Sequence, residues 1–216
     1  RSNPAPKAET LIEALIALSV LMAISSITSG VYVSSSRSTA SNRNDLIAST
    51  MAEEGIELMR NIRDTNFLRF ADEKCWNYLP TATASDCPNI VSMALPAGSS
   101  TVWFDPADFS VKFANYNYGL NTPNLNSPGN DAFKLKLRKL IDPSDPTSNA
   151  KLYVNNGNAG DDDSFFYRGL NISYMDFNND GINDGMKVVS TVLYTGATGK
   201  VRTSAREAKL TNQRIQ

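Results

Sequence analysis

Histidine is absent from all 216 residues. That removes the commonest general base and the commonest transition-metal ligand, and leaves hard cations held by oxygen as the metal chemistry within reach. No catalysis is expected of such a chain. Cysteine is scarce: Cys75 and Cys87 are the only two, close together in sequence. They suit a single disulfide in an oxidising, extracytoplasmic compartment, the alternative being two buried thiols. Net charge is also nearly absent, since 21 Lys+Arg balance 22 Asp+Glu. A broad basic footprint for nucleic acid is therefore not to be expected. Two local absences matter more. No charged residue falls between Glu13 and Arg37, and no proline between Pro6 and Pro80. The first makes a run, Ala14 to Val33, that offers the roughly 20 apolar residues a helix needs to cross a bilayer core. The second lets the helix continue beyond it.

Within this frame one charge is out of place. Glu13 sits at the mouth of the apolar run, where a carboxylate costs a few kcal/mol and by default marks function. The segment Lys7-Ala8-Glu9-Thr10-Leu11-Ile12-Glu13, followed by the apolar run, resembles the N-terminus of type IV pilins and pseudopilins. The stretch from Met51 to Asp64 adds to the likeness. The resemblance implies a prepilin peptidase cut between Ala8 and Glu9, N-methylation of the new terminus, and Glu13 as the assembly glutamate. Here Ala8 stands where the family has glycine, Glu9 where it has phenylalanine, and Gly30 where it places a helix-bending proline. From the first two departures the leader is expected to be retained. Lys7 then becomes the nearest cation for a neighbour's Glu13.

Composition and periodicity, with the boundary after Ala8 and the filament role that the resemblance implies, give four segments: a leader-like 1–8, a transmembrane or filament-core helix 9–36, an amphipathic half-helix 37–68 and a β-rich head 69–216. In the amphipathic half Ile47, Met51, Leu58 and Ile62 recur at spacings of four and seven, one face of a helix. The charges opposite, among them Asp45, Glu53 and Glu57, read as a solvated face. Local melting is expected at Ser25–Gly30, where hydroxyls compete for backbone hydrogen bonds beside a glycine. Strands are predicted at 101–104, 110–113, 133–138, 171–175, 187–194 and 200–209, with a Gly-rich turn at 194–199. The fold class is thus α+β, a long N-terminal helix whose C-terminal half packs on an antiparallel sheet.

The sharpest motif outside the N-terminus is Asp176-Phe-Asn178-Asn-Asp180-Gly-Ile182-Asn-Asp184. Oxygen ligands alternate as in a calcium loop of the EF-hand kind, with Ile182 supplying a main-chain carbonyl. Lys187 occupies the place of the closing glutamate, so a further acid is expected from Asp161, Asp162 or Asp163. The competing reading is an ordinary Asn/Asp/Gly turn. Gly196-Ala-Thr-Gly199-Lys200 lacks the spacing of a phosphate loop.

The expected function is a structural subunit of an extracellular type IV pilus-like filament, held in the inner membrane before assembly. The resemblance implies copies of itself, an assembly platform, its ATPase and the prepilin peptidase as partners, with a surface receptor as a further one. Alternatives are a minor pilin, a type II secretion pseudopilin, or a membrane-anchored calcium-dependent binding module. A secreted hydrolase is a more distant rival.

Overall fold

A computed structural model describes residues 8–70, 72–83, 87, 93–105, 110–117, 119–120, 125, 128–139, 151–155, 161–179, 181, 183–196 and 199–212. The chain falls into two compact units, Arg1–Asn44 and Asp45–Gln216. Helix α1 (Ala8–Arg69) supplies the described part of the first unit and the opening of the second.

In the first unit α1 carries large apolar side chains on every side from Leu11 to Val33. Leu11, Ile12, Leu15, Ile16, Leu21, Met22, Ile27 and Val31 are all more than half exposed. The melting expected at Ser25–Gly30 is not found, because the hydroxyls bond backwards without breaking the ladder: Thr28 Oγ1 donates to the Ile24 carbonyl and Ser19 Oγ to that of Ile16, both at 2.8 Å.

The second unit is the α+β body. Its seven strands are β1 (Gly98–Asp105), β2 (Ser110–Tyr116), β3 (Lys134–Lys139), β4 (Lys151–Asn155), β5 (Asp162–Met175), β6 (Gly185–Thr195) and β7 (Val201–Thr211), every pairing antiparallel. β5 is the spine. One edge pairs with β6 from Phe166 to Met175, and β7 follows β6 over its whole length. The other edge is shared: β1 takes Leu170–Ile172 and β3 takes Asp162–Tyr167, so the sheet forks between them.

Side chains alternate across a strand, and β5 uses both faces. Phe166, Leu170 and Ile172 meet α1, while Tyr167 packs on the opposite face with Phe133, Leu193 and Leu125. The helix contributes a buried stripe of Ala48, Met51, Ala52, Ile56, Met59 and Ile62. Small residues set the distance. At Gly55 an added Cβ would lie 2.5 Å from Ser190 Oγ, so only glycine lets the helix settle this close to β6.

Two apolar clusters line that interface, one with Ala48, Met51, Phe166 and Val192, the other with Ile56, Met59, Leu170 and Val188. Arg168 and Ser190 lie between them. Arg168 is 1% exposed; it donates to the Val102 carbonyl at 2.8 Å and the Met51 carbonyl at 3.2 Å, and pairs with Glu54 at 3.2 Å. Its position beside the fork explains the first bond. β1 leaves β5 after Ser100, so the Val102 carbonyl needs a donor from outside the β1–β5 ladder. Burial pushes the guanidinium's pKa down and Glu54 counters it.

Beyond α1 the chain closes on itself. Cys75 and Cys87 form the disulfide, with Cα atoms 5.9 Å apart. The loop is tied to the helix end by Asn66 Nδ2, which donates to the carbonyls of Trp76 and Tyr78, and by Arg69, which donates to those of Pro80 and Ala82. It is tied to β5 by Tyr174, whose hydroxyl accepts from Asn77 Nδ2 at 3.0 Å and donates to the Leu95 carbonyl. The second bond requires the phenol proton, and burial raises the Tyr174 pKa to about 12.

A raised phenol pKa stabilises the fold fully below pH ~10 and progressively less as pH climbs to ~12, by about 2–3 kcal/mol in all. The expected result is a tyrosine titrating near pH 12 in the ultraviolet spectrum of the folded chain that is lost in Tyr174→Phe, while Tyr194, whose pKa burial and Asp45 also raise, is present in both. If Tyr174→Phe leaves the late-titrating fraction unchanged, the buried proton has no such role.

Candidate functional site

Three places come forward from the residues singled out in the sequence. The first is the N-terminal end of α1. Glu13 lies on the helix among exposed Leu11, Ile12, Leu15 and Ile16. The helix meets the length and hydropathy of a membrane span, with a mean hydropathy of 2.1 in its apolar window and none of that window buried. The chain therefore has a segment compatible with membrane anchoring. Ala8 and Glu9 fall in the first turn of α1, and Lys7 lies outside the described residues.

The second is the hairpin loop 176–184, bracketed by the pair Met175↔Gly185. Asp180 and Ile182 lie outside the described residues. The remaining acids fold the loop around themselves. Asp176 Oδ2 accepts from the Gly181 N–H at 2.9 Å, Asp184 Oδ2 from the Phe177 N–H at 3.2 Å, and the Asp184 N–H donates to the Met175 carbonyl at 2.9 Å. Asn179 and Gly181 take φ of 58° and 81°, the left-handed conformation that asparagine and glycine tolerate best. These bonds are those of an Asx-rich turn.

One atom is left over: Asp176 Oδ1 is buried and makes no hydrogen bond. A buried carboxylate oxygen with spare capacity fits a hard cation. Among the described residues, however, no three His, Cys, Asp or Glu side chains gather into a metal-binding group.

The acids expected to complete that loop are elsewhere, which corrects the sequence reading. Asp162 begins β5 and Met175 ends it, so at about 3.3 Å per residue the two ends are roughly 40 Å apart. Asp161, Asp162 and Asp163 pair instead with Arg138 at 3.2 Å, with Lys151, and with Lys134 at 2.6 Å. The hydrogen bond from Lys134 holds the Asp163 carboxyl below the usual range, and raises the pKa of Lys134 in return. Lys187 turns to β7, where it meets Glu207 at 2.9 Å.

The third is the contact of α1 with β7. The helix charges read as solvated reach across it. Asp45 accepts from Arg202 at 2.8 Å and from the Tyr194 hydroxyl, and Arg206 reaches Glu53 at 3.4 Å and Ser49 at 2.6 Å. The basic residues of β7 are thus largely answered within the fold. Sequence spacing could not reveal this, since 157 residues separate Arg202 from Asp45.

What these features define is an α+β body headed by a helix fit for a bilayer. No protein-family model, curated protein or solved structure matches the chain.

Proposed function

We propose that the chain is a subunit of a type IV pilus-like filament, anchored in the membrane by α1 before assembly and packed through it afterwards. The observation that carries this reading is the uncovered helix of the first unit, with large apolar side chains on all sides from Leu11 to Val33 and Glu13 as its one charge there. A helix apolar all round belongs in lipid or among other helices, and a carboxylate at its edge needs a partner there. A neighbour's cationic N-terminus, or Lys7 of a retained leader, supplies that partner. The disulfide suits the extracytoplasmic side. On this reading the partners are copies of the chain, a membrane platform with its ATPase, and the prepilin peptidase.

Shearing cells that express the chain and inspecting the sheared fraction by negative stain tests it. Filaments whose tryptic peptides come from this chain are expected. Chain found only in membranes, with no filaments, overturns the reading in favour of a membrane-anchored binding module.

The loop 176–184 is included as a calcium site, on the strength of the unpaired Asp176 Oδ1. Asp176, Asn178 and Asp184 would hold the ion, and Asp180 and Ile182 are assigned to it from sequence alone. A ligand bound only by the native state stabilises it by about 2.7 kcal/mol at a hundredfold excess over Kd. Chelation should therefore lower the melting temperature of the body, and added calcium restore it. An unchanged melt leaves the loop as a turn.

A further inference from the structure

A half-open cleft of about 360 Å³ lies in the second unit, between the last turns of α1 and the ends of β1 and β2. Its apolar walls are Leu58 and Ile62 from the helix and Phe104 and Val111 from the strands. Its polar groups are of one kind. Asn61, Thr65 and Ser110 offer an amide and two hydroxyls, Asn66 is turned to the Trp76 and Tyr78 carbonyls, and no carboxylate among the described residues lines the space. The single ionisable side chain among the described lining residues, Arg69, is committed elsewhere: it donates to the Pro80 and Ala82 carbonyls, and its guanidinium lies 5.3 Å from the centre of the Phe70 ring. Asn61 and Thr65 bond to no other described residue.

Size and chemistry narrow the occupant together. The volume is at the low end of the range for small-molecule sites, about 300–1,000 Å³, and too short for a peptide helix. The donors and acceptors are neutral, and each can both give and receive a hydrogen bond. An aromatic ring and three aliphatic side chains supply apolar surface beside them. A ligand that answers all of this is uncharged, carries hydroxyls around its rim and presents C–H groups from one face.

We propose that this cleft binds a neutral saccharide, with one pyranose ring against Phe104 and its hydroxyls on Asn61, Thr65 and Ser110. The proposal does not rest on filament formation, since every residue named belongs to the second unit.

The test uses the full chain in a detergent without a sugar headgroup. Methyl glycosides of glucose, galactose, mannose and N-acetylglucosamine are offered, and saturation-transfer NMR reads their binding. At least one is expected to bind, with an affinity that barely changes between low and high salt, because no charge pair is formed. The variant Asn61→Ala/Thr65→Val should weaken it about tenfold or more, since it removes two hydrogen-bonding groups. The same variant should melt with the parent chain, as neither side chain bonds to another described residue. No binding by any of the four, or binding that the double variant leaves intact, overturns the proposal. So does an Asn61→Cys chain that cross-links quantitatively to a second copy through this face, which would make the cleft an interface between copies.

Discussion

Replacing Arg168 by alanine should cost the body about 3–5 kcal/mol, the largest stability loss expected of any single side chain here. Three losses coincide. The Val102 carbonyl at the fork and the Met51 carbonyl on the helix lose their donor, the Glu54 carboxylate loses its counter-charge, and a void opens between the two apolar clusters. Glu54 is 35% exposed and can turn to water, so the orphaned carbonyl and the void dominate. For a body of this size the change corresponds to roughly 10 °C in melting temperature.

Arg168→Met separates the causes, because it fills the void but supplies no donor. Its loss should be about half as large. Glu54→Gln leaves the buried guanidinium its carbonyl acceptors but removes its counter-charge, and should cost about 2 kcal/mol, less than Arg168→Ala. Thermal melts of the three variants check the order, and a melt of Arg168→Ala within 1 °C of the parent would sink the account.

The second large effect concerns Glu13→Ala, under the filament reading. Insertion should be unimpaired or improved, since a carboxylate at the mouth of the apolar run costs free energy in lipid. Filaments should nevertheless fall to a few per cent or less. A buried charge that has lost its partner destabilises by about 3–5 kcal/mol, and in a filament the missing pair recurs in every subunit. Membrane fractionation and counted filaments give the two readouts. Normal filaments from the variant would remove Glu13 from the assembly account, while loss of the chain from the membrane would assign it to insertion instead.

Much of this architecture was legible in the sequence, for reasons that differ by element. The helix was plain because its 62 residues hold no proline, open on an uncharged run and close on apolar residues spaced by four and seven, and β6 and β7 because they alternate over long runs. Half of the buried stripe was read correctly, since Met51 and Ile62 are buried, and half was not. Ile47 and Leu58 drew attention by size, yet they are only partly buried, and the closest approach is made by Ala48, Ala52 and Gly55. Small residues bury little area themselves, so hydropathy underrates them where they matter as spacers.

β4 was missed, and so was the first half of β5. There Asp162, Asp163 and Arg168 disguise a strand whose charges are met by neighbouring elements far away in sequence. The disulfide followed from having only two cysteines. The loop at 176–184 was visible as a motif, but the supply of a fourth acid was not, because strand length and direction decide which carboxylates can meet. Arg168 gave no local signal at all. Its importance comes from a fork in the sheet, which no periodicity encodes.

The succession of elements also sets a timetable. β5, β6 and β7 follow one another through short hairpins, so their ladders join near neighbours in sequence, whereas Arg168 meets the Met51 carbonyl across 117 residues. Non-local contacts are the slow ones, because the loop must close before anything is gained. The meander therefore forms ahead of helix docking. When the chain emerges N-terminus first, the stripe from Ala48 to Ile62 is made early and must wait, uncovered, for a sheet whose central strand arrives more than a hundred residues later. The segment that holds the finished body together is, during synthesis, the one most open to capture by another chain.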